Sequence, residues 1–353
     1  MIKLLKDGKG LEKSNIFLKE SISKLIEGKD LTLQETTDVM DEIMSGNATD
    51  AQIAAFLVAL RLKGETIDEI AACAKVMREK ASRIKPKKQK QLIDVVGTGG
   101  DKSGTFNIST AAAFVTAGAG IPVAKHGNKG VSSKSGSADV LKALGINIDL
   151  EPKQVEQCID EVGIGYMFAP KFHSAMKYAI GPRKELGIRT VFNILGPLTN
   201  PAEAPYELMG VFSEELVEPL AEVLGKLGCK HALVVHGNGL DEITIEAPTK
   251  VAEYKDNHLT TYEINPTDFG IKLASLDEIK GNTPEDNAKI ILDILNNKEK
   301  GPKRNVVLLN AGAAIYIAGK ADNIQEGIDL AKDSIDSGKA LEKLNNLKVW
   351  TNK

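Results

Sequence analysis

The sequence predicts an α/β protein in two parts: a small helical domain and a larger α/β domain with a central, mainly parallel sheet. Three observations predict this. Residues up to Ile84 carry helical periodicity and repeated helix-start signals. From Leu92 onward, short apolar runs alternate with helical patterns. At 353 residues the chain exceeds what one hydrophobic core usually holds, so two domains are expected.

The helical part is announced by capping boxes. Thr32 with Glu35, Thr49 with Gln52 and Thr66 with Glu69 each pair a cap hydroxyl with an acid or amide three residues on. Gly28, Gly46 and Gly64 stand where the preceding helices should stop. Ile53, Phe56, Leu57 and Leu60 recur at helical spacing, as do Ile67, Ile70 and Val76. The basic run Pro86–Lys90 reads as a solvated connection into the next domain.

Strands are expected at Leu92–Val96, Ile121–Ala124, Gly165–Phe168, Leu208–Phe212, Ala232–His236 and Ile243–Glu246. The helices between them fall at Thr110–Ala117, Ala138–Leu144, Lys153–Val162, Glu214–Leu227 and Pro284–Leu295. Val251–Ile264 is less regular and fits an antiparallel appendage. Asn305–Gly319 and Ile324–Asn345 read as helices.

Composition narrows the function. A formal net charge of −3 provides no overall basic field for nucleic acid. No apolar run is long enough to span a bilayer. The N-terminus is Lys-rich without a secretory apolar core, so a cytoplasmic location is expected. Cys73, Cys158 and Cys229 are far apart and without CxxC spacing, which reads as reduced thiols with neither a disulfide framework nor a zinc site.

The chemistry concentrates between Asp94 and Ile146. Two loops rich in Gly, Ser, Thr, Asn and Lys each follow a strand-like run and lead into a helix. An ordinary turn needs one or two glycines, not two such runs. A flexible loop of backbone N–H groups at a helix N-terminus is an anion site, so two in tandem suggest a ligand with more than one phosphate. The first loop, Gly97-Thr98-Gly99-Gly100-Asp101, fits neither the GxGxxG nor the Walker A pattern. Its glycines still let backbone amides approach a pyrophosphate, and Asn107, Ser109 and Thr110 open the next helix. The second loop, Lys125 to Ser133, adds the charges of Lys125 and Lys129, with Lys134, Ser135 and Ser137 following.

Two further groups bear on the site. Asp241-Glu242 follows a predicted strand, where adjacent carboxylates suit Mg²⁺ bridged to phosphate oxygens. Phe168–Ala202 is broken into short pieces by Pro170, Pro182, Pro197 and Pro201. It holds Arg183, a candidate carboxylate clamp as readily as a solvated arginine, and His173, a ligand or a polar core residue. His231 and His236 lack the spacing of a zinc protease.

Taken together, GTGGD (Gly97–Asp101), NIST (Asn107–Thr110), KHGNKGVSS (Lys125–Ser133), SGSADVLKALG (Ser135–Gly145), GPRKELGIRTVFNILGPLTNPA (Gly181–Ala202) and GLDE (Gly239–Glu242) carry a resemblance. They resemble, in order and over most of the chain, the anthranilate phosphoribosyltransferase family, of the nucleoside phosphorylase type. Lys129 stands where that family more usually has Arg, which keeps the charge. The match starts near Asn15, so residues 1–14 read as an added extension.

The resemblance implies a helical domain over 1–88 that also takes in 178–198, an α/β domain over 89–177 and 199–353, and an active site in the cleft between domains. It implies transfer of phosphoribosyl from phosphoribosyl pyrophosphate to the amine of anthranilate in tryptophan biosynthesis. It also implies Mg²⁺, two ions per subunit, and a homodimer through the helical domain. By the same resemblance, Gly97, Gly100, Asp101, Thr105, Asn107, Ser109 and Thr110 hold the pyrophosphate and ribose. Lys125, Asn128, Lys129, Gly130, Ser132, Ser133 and Ser137 close on the phosphates. Ser109, Asp241 and Glu242 carry the metal. Asn128 and Arg183, with Gly97 nearby, bind anthranilate; His126, His173, Tyr178 and Gly196 line its entry path. No strong general acid or base is expected among them.

Two rival readings fit the residues less well. A pyrimidine nucleoside phosphorylase typically has Ser or Thr after its Lys-His, where this chain has Gly127-Asn128, and it lacks the NILGPLTNP segment. A non-catalytic, nucleic-acid-binding relative would have a basic surface and a degraded metal pair, which the charge of −3 and the intact Asp241-Glu242 oppose.

Overall fold

The computed structural model describes residues 17–130 and 134–353, so the expected extension over residues 1–14 lies outside the described residues. The chain divides into two compact units. One comprises Met1–Ser82 and His173–Thr199; the other comprises Arg83–Phe172 and Asn200–Lys353.

The first unit is helical, with helices over 17–26, Leu33–Met44, Asp50–Lys63 and Ile67–Lys80. All three capping boxes form: Thr32, Thr49 and Thr66 each accept the amide three residues on, and the acid or amide there returns the bond. Gly28, Gly46 and Gly64 end the preceding helices with positive φ, as a left-handed stop requires. The returning segment adds the helices Lys177–Leu186 and Phe192–Leu195 and packs on these same elements. Within the unit, Glu69 is fully buried but satisfied: it accepts from the Leu31 and Thr66 amides and pairs with Lys63 at 2.8 Å.

The second unit holds a seven-stranded sheet in the order β3-β2-β1-β4-β5-β6-β7. The strands are β1 (Ile93–Gly97), β2 (Val123–Gly127), β3 (Ile164–Phe168), β4 (Tyr206–Gly210), β5 (His231–His236), β6 (Thr249–Lys255) and β7 (His258–Ile264). The first five are mutually parallel, and β6 and β7 are antiparallel. The parallel strands are buried along nearly their whole length, which explains their continuous apolar runs. Their C-terminal ends lie at Gly97, Gly127, Phe168, Gly210 and His236, and the loops that leave these ends carry the motifs.

Three expectations are corrected. Ile243–Glu246 is not a strand; the Ile243 amide donates to Asn310 Oδ1 and the Thr244 amide to Thr249 Oγ1, so side chains satisfy this buried backbone without a ladder. Val251–Ile264 is antiparallel, as expected, but regular: Asp256 and Asn257 both adopt positive φ in the two-residue turn of a hairpin. Ile324–Asn345 is two helices, Ile324–Asp336 and Lys339–Thr351, parted where Gly338 takes φ +77°. By contacts the two compact units meet in the chain at Ser82 and Arg83, and the returning segment of the first spans His173–Thr199. The Lys85 and Lys87 amides donate to Glu156 and Asp160 of the helix Pro152–Val162, which holds the basic run against the second unit.

Candidate functional site

In the α/β unit, residues far apart in sequence meet at the ends of β1, β2 and β4. The first loop wraps a carboxylate: the Gly99 amide donates to Asp241 Oδ2 at 2.7 Å. A Cβ on Gly97 would sit 2.5 Å from that same oxygen, and one on Gly210 would overlap the Asp241 carbonyl. Both positions therefore need glycine because Asp241 passes against the strand ends. Thr98 ties the loop to β4, donating from its amide to Gly210 O and accepting the Phe212 amide at its hydroxyl.

Glu242 points the other way. Its Oε1 accepts the Ser109 amide at 3.1 Å, in the first turn of the helix Ile108–Gly118. The Asp101 carboxylate lies 3.5 Å from the Asp241 amide. Asp101, Asp241, Glu242 and Ser109 are thus neighbours at the strand ends. Burial, then the Asp101 charge, pushes the Asp241 carboxyl up to about 7. Burial and Asp241 likewise push Glu242 well above the usual carboxylate range. Crowded, desolvated carboxylates of this kind are relieved by a cation. The donors are all hard oxygens, which suits Mg²⁺. Among the described residues no group of three or more His, Cys, Asp or Glu side chains is placed to hold a metal ion. Mg²⁺ needs none, since it keeps waters and takes phosphate oxygens.

Lys125 departs from expectation. It is not a mobile charge on the second loop but a buried residue of β2, with Nζ 2.5 Å from Val95 O and 3.2 Å from Ser109 Oγ. Burial lowers its pKa, while Asp94, Glu242 and Asp241 support its charge. Asp94, which the sequence reading left unassigned, lies fully buried on β1. It accepts from Asn200 Nδ2 at 2.6 Å and from the His126 amide at 3.3 Å, and burial raises it to about 6. The available signal was a lone acid inside the apolar run LIDVV.

The described part of the second loop is stitched at its base. Asp139 Oδ2 accepts the amides of both Gly130 and Gly136 at 2.9 Å. Lys129 N–H donates to Asn128 Oδ1, and Ser137 Oγ lies 3.3 Å from Asn128 O and 3.0 Å from Tyr166 Oη. Lys129 and Asn128 are exposed, whereas His126 is buried. The expected phosphate contacts Ser132 and Ser133 lie outside the described residues. Thr105 makes an isolated bridge to Lys280, Thr110 is buried, and Gly100 takes φ +78° in the first loop.

His173, Tyr178, Arg183 and Gly196 belong to the helical unit; Gly97, His126 and Asn128 belong to the α/β unit. Arg183 stacks 4.9 Å from the Phe192 ring, and burial lowers its pKa. Tyr178 lies over Gly46, whose missing Cβ makes room for the ring. His173 is buried and held down to about 4, so it is neutral near pH 7.

Comparison with known proteins agrees with this architecture. The model described as "Glycosyl transferase family, helical bundle domain" matches residues 19–81, and "Glycosyl transferase family, a/b domain" matches residues 89–341. Anthranilate phosphoribosyltransferase of Acetivibrio thermocellus is 57% identical over 336 residues, 95% of this chain and 97% of that protein. A crystal structure of the Thermus thermophilus enzyme of that name superposes with a TM-score of 0.90 at 43% identity, covering 94% of this chain and 99% of that one. The Saccharomyces cerevisiae enzyme, in complex with PRPP and Mg, gives 0.86 at 29% identity over 95% of this chain and 98% of that one. With the same two domains and near-complete coverage of its relatives, the chain belongs to the anthranilate phosphoribosyltransferase family.

Proposed function

We propose that this protein transfers the phosphoribosyl group of 5-phosphoribosyl 1-diphosphate to the amine of anthranilate, releasing pyrophosphate, in tryptophan biosynthesis. One observation carries the reading: in a chain of this family, Gly99 holds Asp241 and Ser109 holds Glu242, so glycine loop, helix N-terminus and acid pair form one anion-and-cation site. Asp241, Glu242 and the Ser109 hydroxyl would hold Mg²⁺, at two ions per subunit. When bound it supplies charge neutralisation for the departing pyrophosphate.

The remaining work falls to the chain itself. The amides of Gly97–Asp101, with Thr105, Asn107 and Thr110, receive the diphosphate and ribose. Lys129, Gly130, Ser132, Ser133 and Ser137 close over the phosphates from the second loop. Buried Lys125 compensates the acids beneath them. The bond from C1′ to the pyrophosphate oxygen breaks as the bond from the anthranilate nitrogen to C1′ forms, and the amine proton leaves to solvent. A neutral aromatic amine needs positioning more than deprotonation, so no strong general base is assigned. In the helical unit Arg183 takes the anthranilate carboxylate, with His173, Tyr178 and Gly196 as further anthranilate residues; in the α/β unit the residues assigned to anthranilate are Gly97, His126 and Asn128.

The protein acts as a homodimer through its helical unit. Ile26, Leu33, Leu62, Ile180 and Ile188 of that unit are large apolar side chains at least 48% exposed. The test is a pyrophosphate-release assay with anthranilate and phosphoribosyl pyrophosphate, with and without Mg²⁺, beside phosphorolysis of thymidine and uridine. Mg²⁺-dependent release with anthranilate is expected. Phosphorolysis of the nucleosides without that release would overturn the assignment.

A further inference from the structure

Asn107 begins the helix Ile108–Gly118, yet its carboxamide does not cap it. An asparagine there ordinarily accepts an amide of the first turn. Here both ends of the carboxamide are engaged elsewhere. Its Oδ1 accepts from Ser135 Oγ at 3.2 Å and from Asn287 Nδ2 at 3.0 Å, and its Nδ2 donates to Ser135 O at 3.1 Å. Rotating the amide by half a turn would lose the bonds to Asn287 Nδ2 and Ser135 O.

Asn287 is itself held on every side. It is 2% exposed and sits in the first turn of the helix Pro284–Leu295, which Thr283 and Asp286 cap as a box. Its Oδ1 accepts the Asn282 amide at 2.9 Å. Around it the turn leading into this helix grips the first phosphate loop. The Gly281 amide donates to Gly104 O, and the Phe106 amide donates to Ile279 O. A Cβ on Gly281 would strike Asn287 Oδ1 and the Phe106 backbone, so the contact needs glycine. Lys134 Nζ reaches Asn282 Oδ1 at 2.8 Å, which ties the end of the second loop to the same turn.

We infer that Asn287 is a positioning residue for the phosphorylated substrate. The Ile108 amide donates to Phe106 O and the Ser109 amide to Glu242 Oε1, so the Thr110 amide is the one that an Asn107 cap would take. By holding the Asn107 carboxamide away from its own helix, Asn287 keeps the Thr110 amide for a phosphate and couples the two phosphate loops. The inference rests on the proposed use of phosphoribosyl pyrophosphate.

The test measures both Michaelis constants in Asn287→Ala and Asn287→Asp. The aspartate keeps the size and the acceptor for Asn282 but sets an oxygen against Asn107 Oδ1, so it serves if the alanine variant does not fold. The expected result is a KM for phosphoribosyl pyrophosphate raised roughly fivefold, the competition of one side-chain cap, with kcat and the anthranilate KM changed less than about twofold. In a double-mutant cycle, Asn107→Ala with Asn287→Ala should be no weaker than Asn107→Ala alone. Equal changes in both Michaelis constants, or effects of the two substitutions that simply multiply, would overturn the role of Asn287. An inactive wild type would instead overturn the proposed reaction.

Discussion

Replacing Asp241 by asparagine separates the charge at the centre of the site from its shape. The amide oxygen can still accept the Gly99 N–H that Asp241 Oδ2 accepts at 2.7 Å. What disappears is a buried carboxylate pushed up to about 7 by desolvation and by Asp101. A carboxyl raised in the folded state contributes stability at low pH that is lost as pH rises through its folded pKa. Wild type therefore loses on the order of 3–4 kcal/mol from this group between about pH 4 and pH 8 when metal is absent; the asparagine variant lacks that loss and keeps only those of the other raised acids, Glu242 and Asp94. At pH 8 the metal-free variant should melt higher than wild type, and near pH 4 the two should coincide. Mg²⁺ should reverse the order. Saturating metal at about 100 times its Kd adds about 2.7 kcal/mol to wild type. Losing one charged ligand, worth about 1.5–3 kcal/mol, weakens metal binding and kcat/KM roughly 10- to 100-fold in the variant. Thermal melts at both pH values, with chelator and with Mg²⁺, measure all of this alongside turnover. The reasoning is refuted if the metal-free variant melts below wild type at pH 8 and still gains as much from Mg²⁺.

Further outcomes follow from other contacts. Arg183→Ala should raise the anthranilate KM at least about tenfold, the value of a charge-assisted pair, and leave that for phosphoribosyl pyrophosphate nearly unchanged; equal effects would remove Arg183 from the carboxylate. Gly210→Ala places a methyl on the Asp241 carbonyl and should abolish activity, whereas the same change at Gly181, with nothing within 4 Å, should be silent in the same assay. Asn200→Ala strips a 2.6 Å partner from buried Asp94 and should cost about 1–3 kcal/mol in denaturant unfolding. Cys73, Cys158 and Cys229 are buried thiols, and burial raises the Cys158 thiol to about 12, so a thiol reagent should label the native protein far more slowly than the unfolded one.

What could be read in the sequence was local. Capping boxes act over three residues, so Thr32, Thr49 and Thr66 announced their helices correctly. Apolar runs located the five parallel strands to within two residues at each start, because strands buried on both faces need continuous apolar side chains. Glycine loops, the acid pair and the proline-broken segment were visible as residue types that only special backbone or ligand chemistry explains. Errors arose where a distant partner replaced a local rule. Ile243–Glu246 looks like a strand, but Asn310 satisfies the Ile243 amide from a helix elsewhere. Lys125 reads as a loop charge, but its side chain turns inward to Val95 O and Ser109.

The sequence alone determined the fold class, the two phosphate loops and the candidate acids, because each depends on spacing along one stretch of chain. The tertiary structure decided what those residues face. It set Asp241 against Gly97, Gly99 and Gly210, Glu242 against Ser109, and the Asn107 carboxamide against Asn287, across separations of 31 to 180 residues. Such pairings come from strand order and from backbone approaches that only glycine permits, and neither leaves a periodic signal in the chain.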